Sequence, residues 1–364
     1  LKVGGQAVME GVMMRSPGSL AVAVRRASGE IVVREAPWRP LLAGWRFLRW
    51  PFLRGSLVLV ESLSNGISAL NFSARVAMAD QETAEREERR KRGEAGAESE
   101  AGVGPDALGG APESSRLALW ATLALALGLA IGLFIALPHL TVWGVSLLLG
   151  RELSVEDALF HAIVGVVKMG VFVAYIGLIS LMPDVRRVFQ YHGAEHQSIY
   201  AFEAGEALTV GFARRHPPMH PRCGTTFLLL VIALSILVFS LVFPALIWLF
   251  GQPTGIGILD QLIFIAIKLP LLLPIAGLAY ELQRLTSRHM QRAWARALAA
   301  PGMLIQRLTT RPPSDEQLEV ALTSLRQTLW REARGAGPEE VARVTVYPDF
   351  AAVVVALGEP EASG

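Results

Sequence analysis

The sequence is short of cysteine, of histidine and of charge. A single cysteine, Cys223, in 364 residues excludes an intrachain disulfide framework and suits a reducing compartment or a thiol with a task of its own. Charged residues make up 18% and the net charge is +2. That balance gives no ground for a nucleic-acid partner, because the basic residues are spread along loops rather than gathered into a stripe. No apolar core follows the opening Leu1-Lys2-Val3-Gly4-Gly5, so internal spans rather than a signal peptide are expected to direct insertion. Most of the seven histidines fall, with the cysteine, between residues 184 and 227.

What is abundant is apolar surface. With 52% hydrophobic residues and a mean hydropathy of +0.41, the chain belongs among integral membrane proteins. Four stretches are long enough to cross roughly 30 Å of hydrocarbon at about 1.5 Å per residue: Leu117 to Leu137, Ala158 to Met182, Phe227 to Phe250 and Ile256 to Tyr280. The second holds Lys168 and the fourth holds Lys268, Pro270 and Pro274, features tolerated where a bundle or cavity satisfies them. Arg116 precedes the first span, and arginines gather between the second and third (Arg186, Arg187, Arg214, Arg215, Arg222) and after the fourth (Arg284, Arg288, Arg292, Arg296). The positive-inside bias then places both termini and the histidine stretch in the cytoplasm.

The expected fold is an α-helical polytopic membrane protein of about four transmembrane helices, with a small α+β cytoplasmic domain built from both termini. Residues 1–36 form an N-terminal cytoplasmic segment in which Leu20 to Arg26 and Ile31 to Glu35, around Ser28-Gly29, read as a β-hairpin. Residues 37–80 read as amphipathic helices, interfacial or packed on protein, since Arg46, Arg49 and Arg54 lie among tryptophans. At 81–115 a Glu- and Arg-rich helix is expected to fray into a disordered linker with too little apolar surface to order itself. Spans one and two occupy 116–183, the histidine segment 184–225, and spans three and four 226–283. In the cytoplasmic segment 284–364, Pro301-Gly302 is expected to stop a helix, Glu316 to Ala333 is amphipathic, and Val341 to Tyr347 and Ala351 to Leu357 read as strands that could pair with the N-terminal hairpin.

The chemistry concentrates in His192-Gly193-Ala194-Glu195-His196. On a helix this H-x-x-E-H string sets two imidazoles one turn apart on one face, the separation that lets them converge on a metal, with Glu195 beside them as a general base. Zinc is the expected ion, and other divalent metals are open. A third ligand is needed. His220 and Cys223, an H-x-x-C pair at the entrance of span three, are favoured; Glu203 lies about 10 Å further along the same helix and stays open.

Four separated strings, Gly4 to Arg15, Tyr191 to His196, His220 to Thr225 and Gln306 to Thr310, resemble the YqhQ-like bacterial membrane proteins. The resemblance implies a family of unknown function described as predicted metal-dependent enzymes. It marks Glu10, Arg15, His192, Glu195, His196, His220 and Cys223 as signature positions. The sequence thus supports a metal-dependent hydrolase at the cytoplasmic membrane face, with the lipid bilayer as its surroundings and a membrane protein or lipid-linked molecule as substrate. The competing reading is a non-catalytic scaffold whose polar cluster braces the cytoplasmic domain; a weaker one makes Lys168 and Lys268 parts of a transport path.

Overall fold

A computed structural model describes residues 2–38, 53–92, 121, 124–153, 157–251, 254, 257–335 and 342–358. The chain divides into two compact units. Leu1–Asp80, Tyr175–Leu234 and Leu262–Gly364 form one, and Gln81–Ala174 with Ser235–Gln261 form the other.

The first unit is built on an antiparallel sheet. Strands β1 (Gly4–Val8), β2 (Gly11–Arg15), β3 (Ser19–Arg25) and β4 (Ile31–Pro37) form a meander, and β5 (Arg343–Tyr347) joins at the edge beside β4. The β3–β4 hairpin and the β5 pairing match the expectation. The strands β1 and β2 were not legible, for a physical reason. Val12, Met14, Ala21, Ala23, Ile31 and Val33 point to one apolar core, while Val8, Met13, Val22 and Val24 point to another. A sheet covered on both faces shows no alternation of apolar with polar.

Each cover is helical. On one face lie α4 (Pro183–Glu203) and α9 (Asp315–Ala333), contributing Tyr191, Ala194, Leu318, Leu322 and Leu325. On the other lies α1 (Leu53–Lys91), through Ala69, Phe72 and Val76. Helix α1 therefore packs on protein along this stretch, and Arg54 pairs with Glu281 instead of reaching freely toward headgroups. It runs on through the charged stretch to Lys91, so residues 81–91 of the expected linker are helical. Arg46, Arg49 and residues 93–115 of that linker lie outside the described residues.

Four helices are long and apolar enough to cross a membrane: α2 (Ala124–Leu149), α3 (Ala158–Ile179), α6 (Gly224–Phe250) and α7 (Gly257–Arg288). In the second unit, Val142, Leu153 and Phe160 form a small cluster that ties α2 to α3. Gly165 of α3 seats Ile236, whose side chain would lie 2.3 Å from an added Cβ.

Two expectations are corrected. Pro301-Gly302 does not end a helix; α8 (Ala293–Thr309) runs through it. One missing N–H is a local defect, and Gly302 is where Thr226 packs, 2.3 Å from the position a Cβ would take. Ala351 to Leu357 is not a strand but most of helix α10 (Phe350–Leu357). Asp349 caps it by accepting from the Ala352 N–H at 2.8 Å. A short apolar run does not distinguish strand from helix by periodicity, and here the cap decides.

Candidate metal centre

Helix α4 carries the central string. Pro183 at its start fits the first turn, where its missing N–H has no intrahelical role, and Asp184 complements the positive end of the helix dipole. It ends where Gly205 takes φ +68°, with the Glu206 N–H returning to Ala201 O at 3.0 Å. Between these limits Tyr191 and residues 193–199 are buried. Gly193 is required: an added Cβ would sit 2.1 Å from Arg311 O. Its absence lets the strand-like passage after α8 run against α4, where the Arg311 N–H donates to Phe189 O at 2.9 Å.

The last residue of α8 fixes the first imidazole. His192 Nδ1 lies 2.8 Å from Thr309 O, and His196 Nδ1 lies 2.5 Å from Pro218 O. A carbonyl can only accept, so both Nδ1 atoms carry a proton, and in the neutral form of each ring Nε2 presents the lone pair. The ring centroids are 4.4 Å apart. Cys223 Sγ stands 3.2 Å from His192 Nε2 and is itself approached by the Thr225 hydroxyl at 3.1 Å and the Thr225 N–H at 3.4 Å. One donor atom from each of His192, His196 and Cys223 falls within 4.8 Å of the others.

Glu195 completes the arrangement. Its Oε2 is 3.6 Å from His196 Nε2 and 3.9 Å from His192 Nε2. The Gly5 N–H of β1 reaches this carboxylate, and a Cβ at Gly5 would fall 2.6 Å from Glu195 Cγ. Burial drives the Glu195 pKa above the ordinary carboxylate value, opposed by His192, His220 and the Gly5 N–H. Burial likewise pushes His196 below its ordinary value, against hydrogen bonding from Cys223, and so favours a neutral ring.

The remaining sequence candidates stand apart from these three donors. His220 Nε2 faces Glu203 Oε2 at 3.5 Å, and Glu203 also pairs with Arg222. The His220 ring packs 5.7 Å from that of His196, centroid to centroid, and burial lowers its pKa to about 4. Gln306 pins its backbone, accepting from the His220 N–H and donating to His220 O, each at 2.8 Å, and also donating to Thr226 Oγ1. Glu10 holds Arg187 through both oxygens at 2.5 Å and accepts from Tyr191 at 3.2 Å, which steadies α4 from the β1–β2 turn. Arg15 sits 3.8 Å from Glu61 and 4.3 Å from the Trp38 ring centre.

All four strings singled out in the sequence therefore meet here. Gly5, Thr309 and Pro218 act through backbone groups, Gln306 through its amide and Thr225 through its hydroxyl and N–H, none of which a ligand pattern reveals; their presence inside those strings was the available signal for all but Pro218.

The family described as "Protein of unknown function (DUF1385)" matches residues 50–331. The chain belongs to that family. It is also similar to "Uncharacterized protein YqhQ" of Bacillus subtilis (strain 168), 30% identical over 333 residues that cover 91% of this chain and 93% of that protein. No solved structure matches. The family description names no activity.

The donor set fits a metal. Around a tetrahedral zinc, with bonds of about 2.0–2.1 Å to nitrogen and 2.3 Å to sulfur, ligand atoms stand roughly 3.3–3.7 Å apart. The His192–Cys223 separation of 3.2 Å needs little adjustment. Anchoring each imidazole at Nδ1 by a backbone carbonyl is the outer arrangement that metal-ligating histidines generally have.

Proposed function

We propose that this protein is a metal-dependent hydrolase at the cytoplasmic face of the plasma membrane, holding zinc through His192, His196 and Cys223 and acting on a membrane-associated substrate. The observation that carries the reading is that both Nε2 lone pairs, each enforced by a carbonyl at Nδ1, converge with a thiol beside a buried carboxylate. Bound zinc would supply a Lewis acid that brings the pKa of a coordinated water down to about 7. Glu195 would accept the proton at Oε2, and its upward-shifted pKa gives it the basicity for that transfer near neutral pH. His220 and Glu203 are assigned to hold Arg222 and the loop before α6 rather than the ion. Membrane placement is supported by Cys223 standing immediately before apolar helix α6, and the cytoplasmic side by the arginine distribution.

A second reading has a specific observation behind it. Glu195 Oε2 lies at 3.6 and 3.9 Å from the two Nε2 atoms, near the spacing of a fourth ligand, which would close the site and make it structural. Glu195→Gln separates the two. Purified full-length protein is assayed for metal content and for hydrolysis of a fluorogenic membrane-spanning peptide and a fluorescent phospholipid. The hydrolase reading expects the variant to keep its metal and lose hydrolysis by about a hundredfold or more. Loss of the metal from Glu195→Gln, or equal hydrolysis by both proteins, would contradict it.

A further inference from the structure

Beside the donor cluster, cations from four segments come together. Gln283, late in α7, donates to Cys223 O at 2.8 Å and to Pro221 O at 3.4 Å. Arg222 lies between those two acceptors and Arg284 follows the donor, so this contact brings both arginines to one place. Arg288 is a turn beyond Arg284 on the same face of the helix. Arg54 joins them through a two-pronged pair with Glu281 at 2.5 and 2.6 Å. Lys2 arrives with the chain that leads into β1. Partial burial and the nearness of Arg284, Arg288, Arg222 and Arg54 lower its pKa.

The counter-charges do not match the cations. Glu281 answers Arg54 and Glu203 answers Arg222. Among the described residues no carboxylate stands within ion-pair distance of Lys2, Arg284 or Arg288. Arg284 Nε is moreover buried with no hydrogen-bond acceptor among those residues. A charged donor left bare is costly, and like charges close together repel, so an anion at the exposed Lys2 and Arg288 would be stabilising there. The cluster also sits at the end of one helix long enough to cross a membrane, Ile263–Arg288, and beside the start of another, Gly224–Leu249. In a bilayer that is the depth of the headgroups.

We propose that Lys2, Arg284 and Arg288, with Arg222 at the edge, bind the phosphate of an anionic phospholipid headgroup next to the donor cluster. The proposal rests on the membrane placement argued above and not on hydrolysis. It is a site for phosphate chemistry, and the membrane depth of the cluster assigns the phosphate to a lipid.

The test uses full-length protein in neutral detergent, titrated with dioleoyl phosphatidylglycerol, dioleoyl phosphatidylcholine or inorganic phosphate, with bound lipid read by native mass spectrometry. Phosphatidylglycerol is expected to bind more tightly than phosphatidylcholine. Each cation near an anionic headgroup contributes roughly fivefold, so the Arg284→Gln, Arg288→Gln pair should weaken phosphatidylglycerol about 25-fold. The exposed Arg288→Gln change alone should weaken it about fivefold, and metal content should stay unchanged in both. Equal affinity for the two lipids, or phosphatidylglycerol binding untouched in the variants, would overturn the proposal. Inorganic phosphate displacing the lipid at the lipid's own concentration would overturn the lipid assignment. A His192→Ala, His196→Ala protein that binds no less metal than the parent would remove the metal reading and leave this one standing.

Discussion

Helices α3 and α9 invert the usual relation between polarity and burial. Helix α3, ALFHAIVGVVKMGVFVAYIGLI, is overwhelmingly apolar, yet only Phe160, His161 and Gly165 are buried. Helix α9, DEQLEVALTSLRQTLWREA, is polar along much of its length, yet Thr323, Ser324, Arg326, Gln327, Thr328 and Arg331 are as buried as its leucines. The apolar face of α3 is stable where the surroundings are hydrocarbon, and its backbone satisfies itself within the helix. The polar side chains of α9 are stable because each finds a defined partner. Arg326 donates to Leu208 O and Gly358 O, Gln327 to Glu35, and Thr328 to Met14 O and Ser324 O. Most of the surface of α3 suits hydrocarbon, whereas α9 is held by named contacts, and the donor cluster belongs to the second kind of packing.

Breaking each helix by its own rule sharpens the contrast. Val166, 68% exposed in the middle of α3, should resist charge. Val166→Arg is expected to cost about 3 kcal/mol of apparent insertion free energy for that span in a membrane-insertion assay, the largest of these effects; unaltered insertion would mean that α3 does not face lipid. The buried polar region should instead respond to acid. The folded pKa of His220 is about 4 against an ordinary 6.5, so the unfolded chain takes up the proton first. Its neutral ring costs nothing above pH 6.5, and stability falls as pH drops from 6.5 through 4, by about 2–3 kcal/mol. Denaturant unfolding of metal-free protein across that range, beside His220→Gln, checks it, and the variant should show the shallower slope. The smallest effect is Thr328→Val, which keeps the volume of a buried α9 side chain but deletes its hydrogen bonds; about 1 kcal/mol is expected from the shift in denaturation midpoint.

The same contrast explains what could be read from the sequence. Stretches whose environment is uniform were legible: the β3–β4 hairpin flanking Ser28-Gly29 and the four apolar helices, although the first runs through Pro138 to Leu149, beyond the end at Leu137 expected from the sequence. Leu318, Leu322 and Leu325 of α9 could be found by spacing, but Arg326 and Thr328 could not, because their burial depends on carbonyls from β2, from the turn at Leu208 and from the end of α10. In the donor cluster, H-x-x-E-H placed His192 and His196 on one face. That Cys223 and not His220 or Glu203 stands within 4.8 Å of both imidazoles needed the fold, with Gln306 fixing the His220 backbone and Arg222 engaging Glu203. The orientation of each imidazole depends on Thr309 and Pro218, whose side chains play no part. Gly193 and Gly5 were visible as glycines; that one admits Arg311 and the other Glu195 was not.

The most direct measurement is the metal content of the purified full-length protein, compared with that of a His192→Ala, His196→Ala variant whose fold is verified by its denaturation midpoint. Close to one zinc per chain is expected in the parent and essentially none in the variant. Metal content that is the same in both proteins would contradict it.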